Sequence, residues 1–163
     1  MKKYIISFLL ISGTIFSQGA DSLTGVWQDN EVVASGWSNT FLFFADGTFK
    51  FFYNQMDQRK NQISFSGSWQ VDGDGLYLDV RQRSYLEGGR LVKDPNGGKG
   101  DSVLVDAAQK TKLFNPPEKV EMSISKIYTG TEFAMGKYIY IDAMKFYLMS
   151  TKPDEMLKQF EDK

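Results

Sequence analysis

Residues 41–53 read FLFFADGTFKFFY. At their centre Asp46-Gly47 is a favoured pair for a tight β-hairpin turn, so Thr40–Ala45 and Thr48–Asn54 are expected to pair as antiparallel strands. Both faces of this hairpin are apolar. Phe41, Phe43, Phe49, Phe51 and Tyr53 point one way, and Leu42, Phe44 and Phe52 the other. One set can fill an interior. The second must meet a terminal helix, a loop or a partner, because otherwise it is an exposed apolar patch.

Strand patterns continue on either side. Leu23–Gln28 is a short opening strand. Ile63–Val71 alternates with period two, Ile63, Phe65, Gly67, Trp69 and Val71 opposing Ser64, Ser66, Ser68 and Gln70. Asp72-Gly73-Asp74-Gly75 then turns the chain into Leu76–Arg83. Ser84–Asp94 reads as a strand pair turning at Gly88-Gly89, and Pro95–Asp101 as a loop. Ser102–Leu113 reads equally as strand or short helix, ended by Asn115-Pro116-Pro117. Glu118–Tyr128 alternates again, Phe133–Gly136 is a turn, and Tyr138–Ser150 is apolar on both faces. Pro153–Glu161 has a helix signature, with Pro153 in the first turn, Asp154 and Glu155 at the positive end, and Met156, Leu157 and Phe160 as an apolar stripe. Short strands at this spacing predict an all-β fold: a single antiparallel up-and-down barrel of about 8–10 strands with a short C-terminal helix.

The first residues set an expected compartment. Lys2 and Lys3 precede an apolar run over Tyr4–Phe16, and the small residues Ser17, Gly19 and Ala20 follow. That is the layout of a cleaved signal peptide over residues 1–20, with one domain over residues 21–163. The apolar run is shorter than the roughly 20 residues a spanning helix needs, so no integral membrane span is expected in the mature chain. A periplasmic or secreted protein is expected, and without Cys its stability rests on packing rather than disulfides.

Charge and residue usage narrow the chemistry. Without Lys2 and Lys3 the formal charge moves from −1 to −3, which offers no basic footprint for nucleic acid. His and Cys are both absent, which excludes Ser-His-Asp and Cys-His nucleophiles and the common zinc sites. No cofactor or metal is expected. Asp72 and Asp74 begin like a calcium loop, yet the twelfth position counted from Asp72 is Arg83, where a bidentate Glu is required. Gly98-Lys99 lacks the flanking residues of a phosphate-binding loop. Asp79 and Asp142 are no better placed for acid–base work than other carboxylates. Arg81, Arg83 and Arg90 are available to a carboxylate or phosphate ligand, although an ordinary charged face accounts for them more simply.

Gly-x-Trp occurs twice, as Gly25-Val26-Trp27 and Gly67-Ser68-Trp69. Two copies are too few for a repeat architecture, and a Trp on an alternating strand is more often core than ligand contact. Leu23-x-Gly25-x-Trp27, Phe44-x-Asp46-Gly47-Thr48-Phe49, Gly67-x-Trp69 and the turn into Leu76-x-Leu78 together resemble the bacterial lipocalin-like, calycin-type domains of exported proteins. The resemblance covers residues 23–80. It implies a small barrel in which Gly25 and Trp27 form a structural plug, with Trp69 in the wall or core. The Thr-Asp-Tyr segment of classical lipocalins is absent, no late Arg packing over the first Trp is identified, and Lys145 is the nearest cation on the presumed last strand.

The expected function is non-enzymatic binding of a small apolar or amphipathic molecule inside the barrel. Alternation places Phe43, Phe51, Tyr53, Phe65, Tyr140 and Phe146 on its wall. The alternative is a protein-binding or inhibitor module with a filled core, acting through loops or an edge strand.

Overall fold

The chain turns back on itself at every short connection, and strand follows strand. A computed structural model describes residues 23–31, 38–54, 61–95, 97, 102–131 and 136–161. The expected signal segment, most of the 95–101 loop and most of the 133–136 turn lie outside them. Nine strands are described: β1 (Gly25–Gln28), β2 (Thr40–Phe43), β3 (Thr48–Phe52), β4 (Gln62–Asp72), β5 (Gly75–Lys93), β6 (Ser102–Ser123), β7 (Tyr128–Thr129), β8 (Lys137–Ile141) and β9 (Met144–Ser150), followed by helix α1 (Pro153–Glu161). They form one antiparallel sheet in the order β6-β5-β4-β3-β2-β1-β9-β8-β7. Consecutive strands are neighbours except β6 and β7, which lie at opposite edges, and β1 pairs with β9.

The fold is all-β and up-and-down, with the expected terminal helix, but the sheet does not close as a continuous ladder. β6 and β7 are its edges. One isolated bridge, Ile124 to Ile141, joins the end of β6 to β8. It is flanked by hydrogen bonds from Ser125 N to Tyr140 O (2.9 Å) and from Asp142 N to Ser123 O (3.0 Å). The reason is length. β7 has two residues, so the last edge offers too little backbone to run a ladder along β6.

Turn chemistry sets the register. Asp46 accepts hydrogen bonds from Thr48 N (2.9 Å) and Thr48 Oγ1 (2.6 Å), and Gly47 takes φ +79°. Phe43 therefore sits opposite Phe49, and Phe41 opposite Phe51. β8 and β9 turn at Asp142-Ala143, both at positive φ (46° and 63°), without Gly or Asn. Asp142 is fixed there by accepting from Ser123 N at 2.8 Å.

Two apolar layers result. The inner face of the curled sheet carries the main core, from Trp27, Phe41, Phe43, Phe49, Phe51, Phe65 and Trp69 to Leu76, Leu78, Val80, Ile139, Ile141, Phe146 and Leu148. The outer face carries Val26, Leu42 and Phe52, with Phe44 and Met149, under Met156, Leu157 and Phe160 of α1. The second set of the Phe-rich hairpin thus meets the terminal helix.

The chain's two Gly-x-Trp segments answer to different needs. A Cβ on Gly25 (φ +147°) would lie 2.8 Å from both Leu148 Cδ1 and Ser150 O, at the point where the β1–β9 register shifts. Trp27 is fully buried and its Nε1 donates to Leu23 O at 2.8 Å. A Cβ on Gly67 would lie 1.9 Å from Asp79 O, so only glycine allows β4 and β5 to approach this closely. Trp69 is buried, edge-on to Phe43 with centroids 5.1 Å apart.

Candidate functional site

Alternation along β2, β3 and β4 brings most of the expected wall residues together. Phe41, one of the inward-facing residues of the hairpin, is their hub: its ring centroid lies 5.1 Å from Phe43, 4.5 Å from Phe51, 6.4 Å from Phe65 and 5.5 Å from Phe146. Phe51 and Phe65 are 4.8 Å apart, and Tyr53 completes the margin, 5.0 Å from Phe51. At these separations the rings touch one another and form one aromatic cluster.

Tyr140 is the exception. Its neighbours Ile139 and Ile141 are buried, while Tyr140 is 38% exposed on the opposite face. There it meets Tyr128 and Tyr138 edge-on, at 6.0 and 5.9 Å. The long run Tyr138–Ser150 is two strands, and the alternation within β8 puts Tyr140 outside. Lys145 is also outside, with Nζ 4.2 Å from the Tyr138 centroid and 4.8 Å from that of Tyr147. Burial lowers its pKa, but hydrogen bonding and attraction to Tyr147 outweigh that, and the ammonium is held above its ordinary value.

The three arginines separate into different roles. Arg83 lies over the Phe65 ring at 5.1 Å and makes a two-pronged bond to Glu118 (Nε to Oε2 3.0 Å, Nη2 to Oε1 3.1 Å). Burial works against its charge, but Glu118 and a hydrogen bond with Tyr53 raise its pKa overall. Arg83 therefore caps the aromatic core. Arg90 pairs with Asp106 at 3.2 Å, both side chains well exposed. The Arg81 side chain has no hydrogen bond or ion pair among the described residues.

Carboxylates are dispersed. Asp79 accepts from Lys119 Nζ at 2.6 and 2.8 Å, and Asp142 is held in the β8–β9 turn. Among the described residues no group of three or more Asp or Glu gathers to hold a metal, and no helix is long and apolar enough to cross a membrane.

Two surface features remain. An outer groove of about 380 Å³ crosses β3, β4, β5 and β6, with Lys50, Ser66, Ser68, Arg81 and Leu113 among its lining. The second is the β5–β6 ribbon. β4 pairs with β5 from Asp72↔Gly75 to Gln62↔Tyr85, whereas β5 and β6 stay paired out to Lys93↔Ser102. Leu86 N still donates to Asn61 O (2.7 Å), and from Glu87 to Lys93 the ribbon is, among the described residues, a two-stranded arm. A cleft of about 590 Å³, lined by Asn61, Tyr85, Leu86, Leu91 and Leu104 among others, lies at its base. The arm went unread in the sequence because Gly88-Gly89 looks like a turn. Both take positive φ (72° and 80°) opposite Asp106 (φ 60°), and the strands continue through the kink.

Comparison with protein-family models found no match. No curated protein and no solved structure matches the chain either.

Proposed function

We propose that this is an exported, non-enzymatic, protein-binding module of calycin-type descent, acting through the β5–β6 arm. The observation that carries the reading is the arm itself. A lone two-stranded ribbon gains little stability in water, yet among the described residues this one extends past the end of β4 with β6 as an edge strand.

That edge is unevenly guarded. Its body-proximal half carries Lys110, Lys112, Pro116, Pro117 and Lys119, the residue types that discourage strand addition. Its outer half, Ser102–Gln109, has the single charge Asp106 and the apolar run Val103, Leu104 and Val105. On the partner strand Leu91 is 56% exposed. An extended segment of another protein adding beside Ser102–Gln109 would complete the backbone hydrogen bonds of β6 and place side chains near the cleft at the arm's base. The close packing of the described interior rings on one another favours this reading over the small-molecule one.

Photo-cross-linking from position 104, in cells of the source organism, tests it. A single protein partner is expected, with cross-linking lost in Val105→Pro and absent when the probe sits at Met144. A partner retained after replacing residues 87–108 with a tight turn would sink the proposal. So would a stoichiometric apolar molecule held among Phe41, Phe51 and Phe65 in protein purified without any partner chain.

A further inference from the structure

Arg81 occupies a position that neither neighbouring strand pairs. On β4 the register passes from Ser66↔Gln82 to Gly67↔Val80, and on β6 from Leu113↔Gln82 to Glu118↔Val80. The sheet is thus bulged on both sides of one residue, with Phe114–Pro117 as the extra loop of β6. Bulges re-aim side chains, and they concentrate where a side chain has work to do. The close approach at Gly67, where a Cβ would strike Asp79 O, belongs to the same distortion.

The bulge sets Arg81 in the wall of the outer groove of about 380 Å³, a volume within the range of small-molecule sites. Its guanidinium has five donors and no partner among the described residues. Carboxylates of the surrounding strands and turn are engaged: Asp79 with Lys119, Glu118 with Arg83, and Asp46 with the backbone and hydroxyl of Thr48. Lys50 adds a second positive charge to the lining, and Ser66 and Ser68 add hydroxyls from adjacent outward positions of β4. The rest is apolar. Phe44 borders one end, and Leu113 is 73% exposed beside Arg81.

We propose that this groove binds a small amphipathic carboxylate, its anionic head on Arg81 with help from Ser66 and Ser68, and its apolar tail along Leu113 and Phe44. A planar carboxylate matches the guanidinium fork with two parallel hydrogen bonds. A compact hydrophilic anion would leave Leu113 in water. An apolar molecule without charge would leave Arg81 unused, so head and tail are both required. The site is separate from the arm's outer half, and either proposal can fail while the other stands.

The test is an NMR titration of the isotopically labelled protein at fixed ionic strength with hexanoate, 3-phenylpropionate, acetate and hexanamide. Hexanoate or phenylpropionate should shift the amides of Ser66, Ser68, Arg81 and Leu113, and their ratio tells whether the tail is linear or aromatic. Arg81→Gln, or replacing hexanoate by hexanamide, should weaken binding at least about tenfold, the loss of a charge-assisted pair. Leu113→Ser should weaken hexanoate several-fold and leave acetate unchanged. Acetate binding as tightly as hexanoate would mean nonspecific anion attraction and overturn the proposal. So would unchanged affinity in Arg81→Gln, or shifts confined to other parts of the sheet. Both substitutions fall on exposed side chains, and an unaltered spectrum outside the groove verifies the fold in each variant.

Discussion

Phe52 and Phe160 stack face to face, with ring centroids 4.2 Å apart and planes within 10°. This pair fastens the C-terminal helix to the outer face of β3. Phe52 is buried in the process, and without α1 it would join Val26 and Leu42 in an exposed apolar patch.

Removing that fastening should be measurable. Phe160→Ala is expected to destabilise the protein by about 1–3 kcal/mol, below the cost of a fully buried Phe because Phe160 keeps part of its surface in water. Urea denaturation followed by tryptophan fluorescence measures it. A midpoint within error of the parent would mean that α1 adds nothing to the sheet.

How much of this was readable beforehand depends on the residue. The hairpin around Asp46-Gly47, the inward set Phe41, Phe43, Phe49 and Phe51, and the helix over Pro153–Glu161 follow from local chemistry and appear as read. The sequence hides what depends on the partner strand. Ile63 was placed with Phe65 by alternation, but the register shifts between Gln62 and Ser64, and Ile63 falls outside the core cluster. Pro116 and Pro117 looked like a strand's end. They sit instead in a bulge on an edge strand, where a missing N–H costs no ladder hydrogen bond, and β6 runs on to Ser123. Tyr140 was misplaced because Asp142-Ala143 carries no glycine to announce a turn. For the groove, the sequence offered three arginines, and only geometry separates Arg81 from the paired Arg83 and Arg90.

Trp27 is a second lever on stability. Its full burial and the bond from Nε1 to Leu23 O predict that Trp27→Ala costs about 3–5 kcal/mol. Trp27→Phe should fall between the two, restoring most of the apolar contact without the donor. Chemical denaturation of the three proteins checks the order, and a Trp27→Phe variant weaker than Trp27→Ala would contradict it.

Gly67 tests the close approach of β4 to β5. An alanine methyl has backbone, not a flexible side chain, 1.9 Å away, so the strands must separate. Gly67→Ala is expected to destabilise by at least about 1–3 kcal/mol, whereas Gly73→Ala, with open space around its Cβ but φ +62°, should cost about 1 kcal/mol. Thermal unfolding of the pair should rank Gly67→Ala the lower.

Asp46 gives a pH-dependent readout. Hydrogen bonds from the Thr48 hydroxyl and then the Thr48 backbone hold its carboxyl below the ordinary value. A depressed folded-state pKa contributes stability above the unfolded pKa, and that contribution is lost as pH falls through the folded one. Because Asp46 is exposed, the sensitive measurement is its own titration by side-chain carbonyl NMR. Thr48→Val should move that midpoint upward, towards the ordinary carboxylate range. An unmoved midpoint would show that the hydroxyl plays no part.

The pairing of β1 with β9 carries a consequence for how the polypeptide matures. A chain made from its N-terminus leaves one flank of Gly25–Gln28 bare until Met144–Ser150 has been synthesised, more than a hundred residues later. Such distant pairings form slowly, and the half-built sheet is prone to stick to its neighbours. An interior strand of the finished sheet therefore waits for its second partner, and the sheet cannot be completed until Met144–Ser150 has been made.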